Sequence, residues 1–138
     1  MSEPMTVEVV SPERVLYSGT ATMVITRTFG GGEIAFQANH APFVGALSEN
    51  HTRVFQVDGV VRDIAVHGGF VEVSGNKVSI LSDVAELSDE IDVERARSAK
   101  ERAEEHIRHE DDVKAMAALG AALRRANARL STAGAPVA

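Results

Sequence analysis

The chain has 138 residues, a formal charge of −6 and no cysteine, which is room for one ordinary domain or a small domain with an appendage. Its acidic balance argues against nucleic acid as a partner, because phosphate binding needs a basic surface; the absence of cysteine excludes disulfides and thiolate metal sites. No apolar run approaches the ~18 residues of a membrane helix, and a hydrophobic fraction of 44% is globular, so a cytosolic protein is the default expectation.

The N-terminus, MSEPMTVEVV, has neither a basic region nor a long apolar stretch and does not read as a signal or transit peptide. Period-two alternation then recurs at 7–10, 14–19, 20–28, 52–57, 60–66, 69–74 and 77–82. Residues 34–47, IAFQANHAPFVGAL, read as buried strand on either side of a loop that Pro42 stiffens. Turn signals separate these runs: Ser11-Pro12, Gly30-Gly31-Gly32, Asp58-Gly59, His67-Gly68-Gly69 and Gly75-Asn76. Short alternating strands joined by tight turns predict an antiparallel β-sandwich, or flattened barrel, over residues 1–87.

Near residue 87 the period changes. Val93, Ala96, Ala99, Ala103 and Ile107 recur at helical spacing, and a second stripe runs through Val113, Met116, Leu119, Leu123, Ala126 and Leu130. Asp111-Asp112 mark the break, with Asp112 the expected N-cap of the second helix. The fold class is therefore α+β: the sandwich, followed by an antiparallel two-helix hairpin over residues 88–138. Residues 88–112 carry ten acidic and five basic side chains, and 113–138 carry four basic and no acidic ones. That contrast predicts electrostatic attraction between the helices. Few large apolar residues face inward, so the hairpin is expected to be marginal and mobile.

No constellation supports catalysis. The five histidines, His40, His51, His67, His106 and His109, form no HxH or HExxH pair. Gly30-Gly31-Gly32-Glu33 lacks the lysine and helix of a phosphate loop and reads as a hairpin turn. His40 alone is open to four readings: base, metal ligand, core residue or docking residue. Three functional classes remain: an assembly subunit, a free-standing ligand-binding β-sandwich with an inert helical tail, and a metal hydrolase.

Four motifs occur in order: Asn39-His40-Ala41-Pro42, HGGFVEV at 67–73, VSILSDVAE at 78–86 and IDVERA at 91–96. With them, over roughly residues 5–131, the chain resembles the epsilon subunit of bacterial F-type ATP synthase. The family usually runs Gly-Ile-Leu-Pro where Ala35-Phe36-Gln37-Ala38 stand here, and Ser-Gly-Gly where His67-Gly68-Gly69 stand; the second departure bears on an edge contact, not on the fold.

The resemblance implies a non-catalytic central-stalk subunit, peripheral to the cytoplasmic face of a bacterial plasma membrane through its complex. The sandwich would dock on the gamma subunit and the c-ring, with Asn39, His40, Ala41 and Pro42 facing the ring. The hairpin would restrain ATP hydrolysis by changing shape, and in the extended state Arg124, Arg125 and Arg129 would meet the catalytic alpha and beta subunits. No cofactor is required, but the resemblance implies ATP as a regulatory ligand, held by Glu86, Ile91, Asp92, Arg95, Ala96, Arg102, Arg125 and Arg129. Arg95 and Arg102 share a face of the first helix, and Arg125 and Arg129 a face of the second. Only a folded-back hairpin joins those faces, so ATP would favour the compact state.

Overall fold

A computed structural model describes residues 3–137; the outermost residues of the two expected ranges lie outside it. Nine strands precede the helices. They are β1 (Met5–Val10), β2 (Val15–Thr28), β3 (Gly32–Phe36), β4 (Phe43–Ala46), β5 (Asn50–Gln56), β6 (Val61–His67), β7 (Phe70–Ser74), β8 (Lys77–Leu81) and β9 (Val84–Leu87). A 3₁₀ turn, Ser88–Glu90, leads to α1 (Val93–Ile107) and α2 (Val113–Thr132).

The strands follow the order β4-β7-β8-β1-β2-β5-β6-β9, with β3 also paired to β2. The two runs expected at 14–19 and 20–28 are one strand, β2. Its first half pairs with β1, and its second half pairs with β3 and β5 beyond a register shift between Ala21 and Met23. One long strand thus serves both layers of the sandwich. Between the layers lie Val7, Val9, Val24, Phe36, Val54, Ile64, Val71, Val78 and Ile80, all fully buried. These are the inward members of the alternating runs, as one buried face requires.

Pairing is antiparallel except between β1 and β8, which run parallel in register from Thr6↔Lys77 to Val10↔Leu81. This corrects the all-antiparallel expectation. Parallel neighbours need a long connection, and here the strands between β1 and β8 supply it.

α2 starts as expected, on Asp112, and α1 starts on Asp92; their side chains accept from the backbone N–H groups of Ala115 (2.9 Å) and Arg95 (3.1 Å). α2 packs on α1 and rests on β5 and β6. The expected second apolar stripe holds only at its C-terminal end: Ala126 and Leu130 are buried, whereas Val113 is 82% exposed and Met116 37%. Leu119 and Leu123, between them, are half-buried. The expected electrostatic attraction also takes another form. Among the described residues no ion pair joins α1 to α2; Glu94–Arg97 and Glu105–Arg108 stay within α1, while Arg124 and Arg129 pair with Glu49 and Glu86 of the sandwich. Two of the three arginines of α2, Arg124 and Arg129, thus pair with the sandwich and not with the acidic helix.

Candidate functional site

A cavity of about 300 Å³ opens where β9, the start of α1 and the end of α2 meet, lined by Glu86, Glu90, Asp92, Arg95, Ala96, Ala99, Arg102 and Arg129. Six of the eight residues that the resemblance assigned to a nucleotide are among these. Ile91 and Arg125 are not. Arg125 stands one helical turn, about 6 Å, before Arg129 on α2, and the cavity ends short of it.

Geometry gives the carboxylates distinct tasks. Asp92 is committed to capping α1. Glu86 lies on β9, and its Oε1 accepts from His67 Nε2 at 2.9 Å and from Arg129 Nε at 2.7 Å. The His67 bond, with Arg129 beside it, outweighs burial and holds the Glu86 carboxyl down to about 2. Glu90 closes a bidentate bridge with Arg14 of the β1–β2 turn and accepts from the Leu87 N–H at 3.0 Å; the Arg14 guanidinium is the main cause that holds it, too, at about 2. Both carboxylates are therefore ionised and already engaged. Arg95 and Arg102 are exposed side chains on one wall, with Arg129 opposite. Three guanidiniums around a cleft suit a polyanion, since each offers several fixed donors.

On the other side of α2 a wider cleft of about 550 Å³ separates it from β5 and the β2–β3 hairpin. Arg124, Asn127, Ala128 and Ser131 line it from the helix, at the i, i+3, i+4, i+7 spacing of one face. Arg124 Nε donates to Glu49 Oε2 at 3.1 Å, and His51 joins Asp63 (2.6 Å) to Ser131 (3.0 Å). This face is polar and small.

The loop holding Asn39, His40, Ala41 and Pro42 is pinned. Asn39 sits at φ 68°, a conformation Asn tolerates better than most residues; its N–H donates to Asn76 Oδ1 at 2.8 Å and its amide to Glu3 Oε2 at 2.9 Å. His40 Nδ1 donates to the Ala41 carbonyl at 2.7 Å, and its ring stands edge-on to Phe36 with centroids 4.9 Å apart. Ala41 and Pro42 are exposed.

Sequence reasoning missed two features. One is the buried partner of Glu86, His67, whose only advance signal was the glycine pair behind it. Gly69 has φ 113° and would place a Cβ 2.0 Å from the Leu81 carbonyl oxygen, so no other residue fits. The second is an apolar row on the face of the sandwich away from α2. Ala46, Phe70, Leu81, Val10 and Val15 stand in register across β4, β7, β8, β1 and β2. Phe70 is 58% exposed, Leu81 57% and Val15 60%. An exposed apolar row of this kind is a candidate interaction surface.

Nothing in the cavity pairs a nucleophile with a base, and among the described residues no His, Asp and Glu group could hold a metal ion. Among the described residues no helix is long and apolar enough to cross a membrane.

Comparison with known proteins bears on the family and the fold. Residues 4–88 match the model of the ATP synthase Delta/Epsilon chain beta-sandwich domain, and residues 89–134 that of its long alpha-helix domain. The chain is 52% identical over 103 residues to an ATP synthase epsilon chain of Brevibacillus brevis, covering 75% of this chain and 77% of that one. It is 44% identical over 130 residues to one of Bacillus pumilus (93% and 95% covered) and 40% over 124 to one of Streptomyces coelicolor (87% and 99%). In fold it is similar to a chain of the Euglena gracilis mitochondrial ATP synthase, with TM-score 0.81 at 22% identity, covering 94% of this chain and 80% of that one.

Proposed function

The chain belongs to the ATP synthase Delta/Epsilon family, and from that premise we propose that its hairpin is a movable inhibitor of ATP hydrolysis, held against the sandwich when nucleotide fills the junction cavity. The subunit itself is non-catalytic and is part of the central stalk of an F-type ATP synthase. Membership replaces the competing readings of a free-standing ligand-binding sandwich and a metal hydrolase.

The observation that carries the proposal is the chemistry of the α2 contact. Beside a cleft lined also by Asn127 and Ala128, Arg124 meets the sheet through an ion pair with Glu49, and Ser131 through a hydrogen bond to His51. Polar contacts of this kind exchange for water at small net cost, so the hairpin can leave without exposing a core. ATP in the cavity would touch α1 and α2 together through Arg95, Arg102 and Arg129, contacts that exist only while both helices are folded back. At a hundred times its dissociation constant such a ligand favours the compact state by about 2.7 kcal/mol.

Docking uses the opposite surfaces. The row of Phe70, Leu81 and Val15 offers the gamma subunit an apolar face, and the pinned loop at Asn39–Pro42 offers the c-ring a preorganised one, with little ordering entropy left to lose. So docked, the subunit sits peripherally at the cytoplasmic face of the membrane, through its complex.

The test is the assembled complex carrying either the full chain or the chain ended after residue 87. Hydrolysis is expected to rise on removal of the hairpin; an unchanged rate removes the inhibitory role. Calorimetric titration of the full chain with ATP, beside Arg95→Ala, tests the ligand. Absence of heat at millimolar ATP leaves the cavity without its nucleotide.

A further inference from the structure

We propose that His67 is the positioning residue of the hairpin latch: through Nε2 it fixes the Glu86 carboxylate so that one oxygen holds Arg129 of α2 and the other faces the junction cavity. The latch half of this inference stands on the ligand-free structure. The cavity half rests on the proposed nucleotide function.

Three observations converge on His67. It is the last residue of β6, its side chain only 4% exposed, and the β6–β7 turn locks it in place. Gly68 and Gly69 both take positive φ, Ser82 Oγ donates to the Gly68 carbonyl at 3.1 Å, and Gly69 packs directly against the Leu81 backbone. The register His67↔Val84 puts Glu86 two residues along the neighbouring strand, at the diagonal distance that a long side chain spans. Finally, among the described residues the imidazole has one partner. Nε2 meets Glu86 at 2.9 Å, while Nδ1 is buried with none.

Without this anchor nothing else from the sandwich holds the Glu86 carboxylate. Its Oε1 has two partners, His67 and Arg129, and among the described residues Oε2 has none. Arg129 belongs to the element that moves, so His67 is the fixed end of the bridge. Loss of a hydrogen bond to a charged group weakens such a link by about tenfold or more.

A merely space-filling histidine would be replaced well by phenylalanine and poorly by glutamine; a positioning histidine reverses that order, because a Gln amide keeps a donor where Nε2 stands. The experiment is amide hydrogen exchange across residues 123–132 of the full chain, without nucleotide. His67→Phe and Glu86→Gln are expected to speed exchange there about tenfold, and His67→Gln to leave it near wild type. In a Glu86→Gln background His67→Phe should add nothing, as members of one link do. Wild-type exchange in His67→Phe, or exchange in His67→Gln as fast as in Glu86→Gln, overturns the proposal. Should His67→Phe unfold the sandwich, the comparison of His67→Gln with Glu86→Gln still decides. In the ATP titration His67→Phe should weaken binding about tenfold and His67→Gln should not. If wild type binds no ATP, the nucleotide reading fails while the exchange result still judges His67.

Discussion

Between the two layers of the sandwich, Phe36, Ile64, Ile80 and a set of valines lie fully buried, whereas beneath α2 the contacts are Arg124–Glu49, Arg129–Glu86 and Ser131–His51. The first interface is apolar and non-directional, and opening it exposes area that water penalises at about 25 cal/mol per Å². The second is made of polar groups that water can replace. A single chain thus carries one region held by an apolar core and another held to it by polar contacts, and the proposed undocking rests on that difference. What decides between the two behaviours is the chemistry of the contact, not the quality of the secondary structure, since α2 is a long, well-capped helix.

The largest effect should therefore come from the core. Phe36→Ala is expected to cost about 3–5 kcal/mol and to lower the main thermal transition by many degrees. Leu130, equally buried, lies in the hairpin. Leu130→Ala removes about 2–5 kcal/mol of local packing but should appear as faster exchange in α1 and α2, with the sandwich transition nearly in place. If both variants lower the same transition equally, sandwich and hairpin form one cooperative unit and do not differ as their contacts imply.

Acid should separate the regions next. Glu86 has a carboxyl lowered from 4.5 to about 2 in the folded chain. A lowered value means stabilisation that is complete above about 4.5 and lost as pH falls toward about 2. Because the group is partly exposed, its contribution is on the order of 1–2 kcal/mol. Glu90, lowered to about 2 by Arg14, acts in the same window. Distances from spin labels on α2 to the sandwich should lengthen across that window while the buried strand amides stay protected. The chain has no native cysteine to compete with the labels. Undocking that begins near neutral pH would point to a group other than these two.

This contrast was half legible in the sequence. Alternation identifies inward and outward residues, so the sandwich and its buried valines could be read directly. Alternation does not say which strands become neighbours, and both the parallel β1–β8 pair and the row of Ala46, Phe70, Leu81, Val10 and Val15 depend on that. The helix caps at Asp92 and Asp112 are local and were readable. Glu49–Arg124 and His67–Glu86 join residues far apart in sequence and left no local signal. For the cavity, helical spacing placed Arg95 with Arg102 correctly. It does not show how far along α2 the cavity reaches, and Arg125, which the resemblance groups with Arg129, lies outside the lining.

His40 tests whether the docking loop is independent of the core. Its ring lies edge-on to Phe36, at 4.9 Å, and near Phe43, at 6.5 Å, so it is not a purely exposed residue. His40→Ala should cost about 0.5–1.5 kcal/mol through these ring contacts. It should also weaken incorporation of the subunit into the assembled rotor, measured by co-purification. A larger stability loss with normal incorporation would return His40 to a structural role alone.

The smallest effect concerns Arg124. In the compact state its Nε bonds Glu49 at 3.1 Å, with Arg124 53% exposed and Glu49 16%. Such a pair contributes about 0–1 kcal/mol, yet its two ends should give opposite results. Glu49→Gln releases Arg124 without removing it, so it loosens docking and leaves the arginine free for the contact with catalytic subunits that the family resemblance implies. Hydrolysis by the assembled enzyme should then fall, by less than about fivefold given that energy range. Arg124→Ala loosens docking too, but it removes the same side chain from the extended state, so hydrolysis should hold or rise. Both differences should fade as ionic strength passes about 0.15 M, where exposed charges are screened within about 8 Å. Equal changes from the two variants at low salt would mean that Arg124 acts only in the docked hairpin and has no second partner to meet.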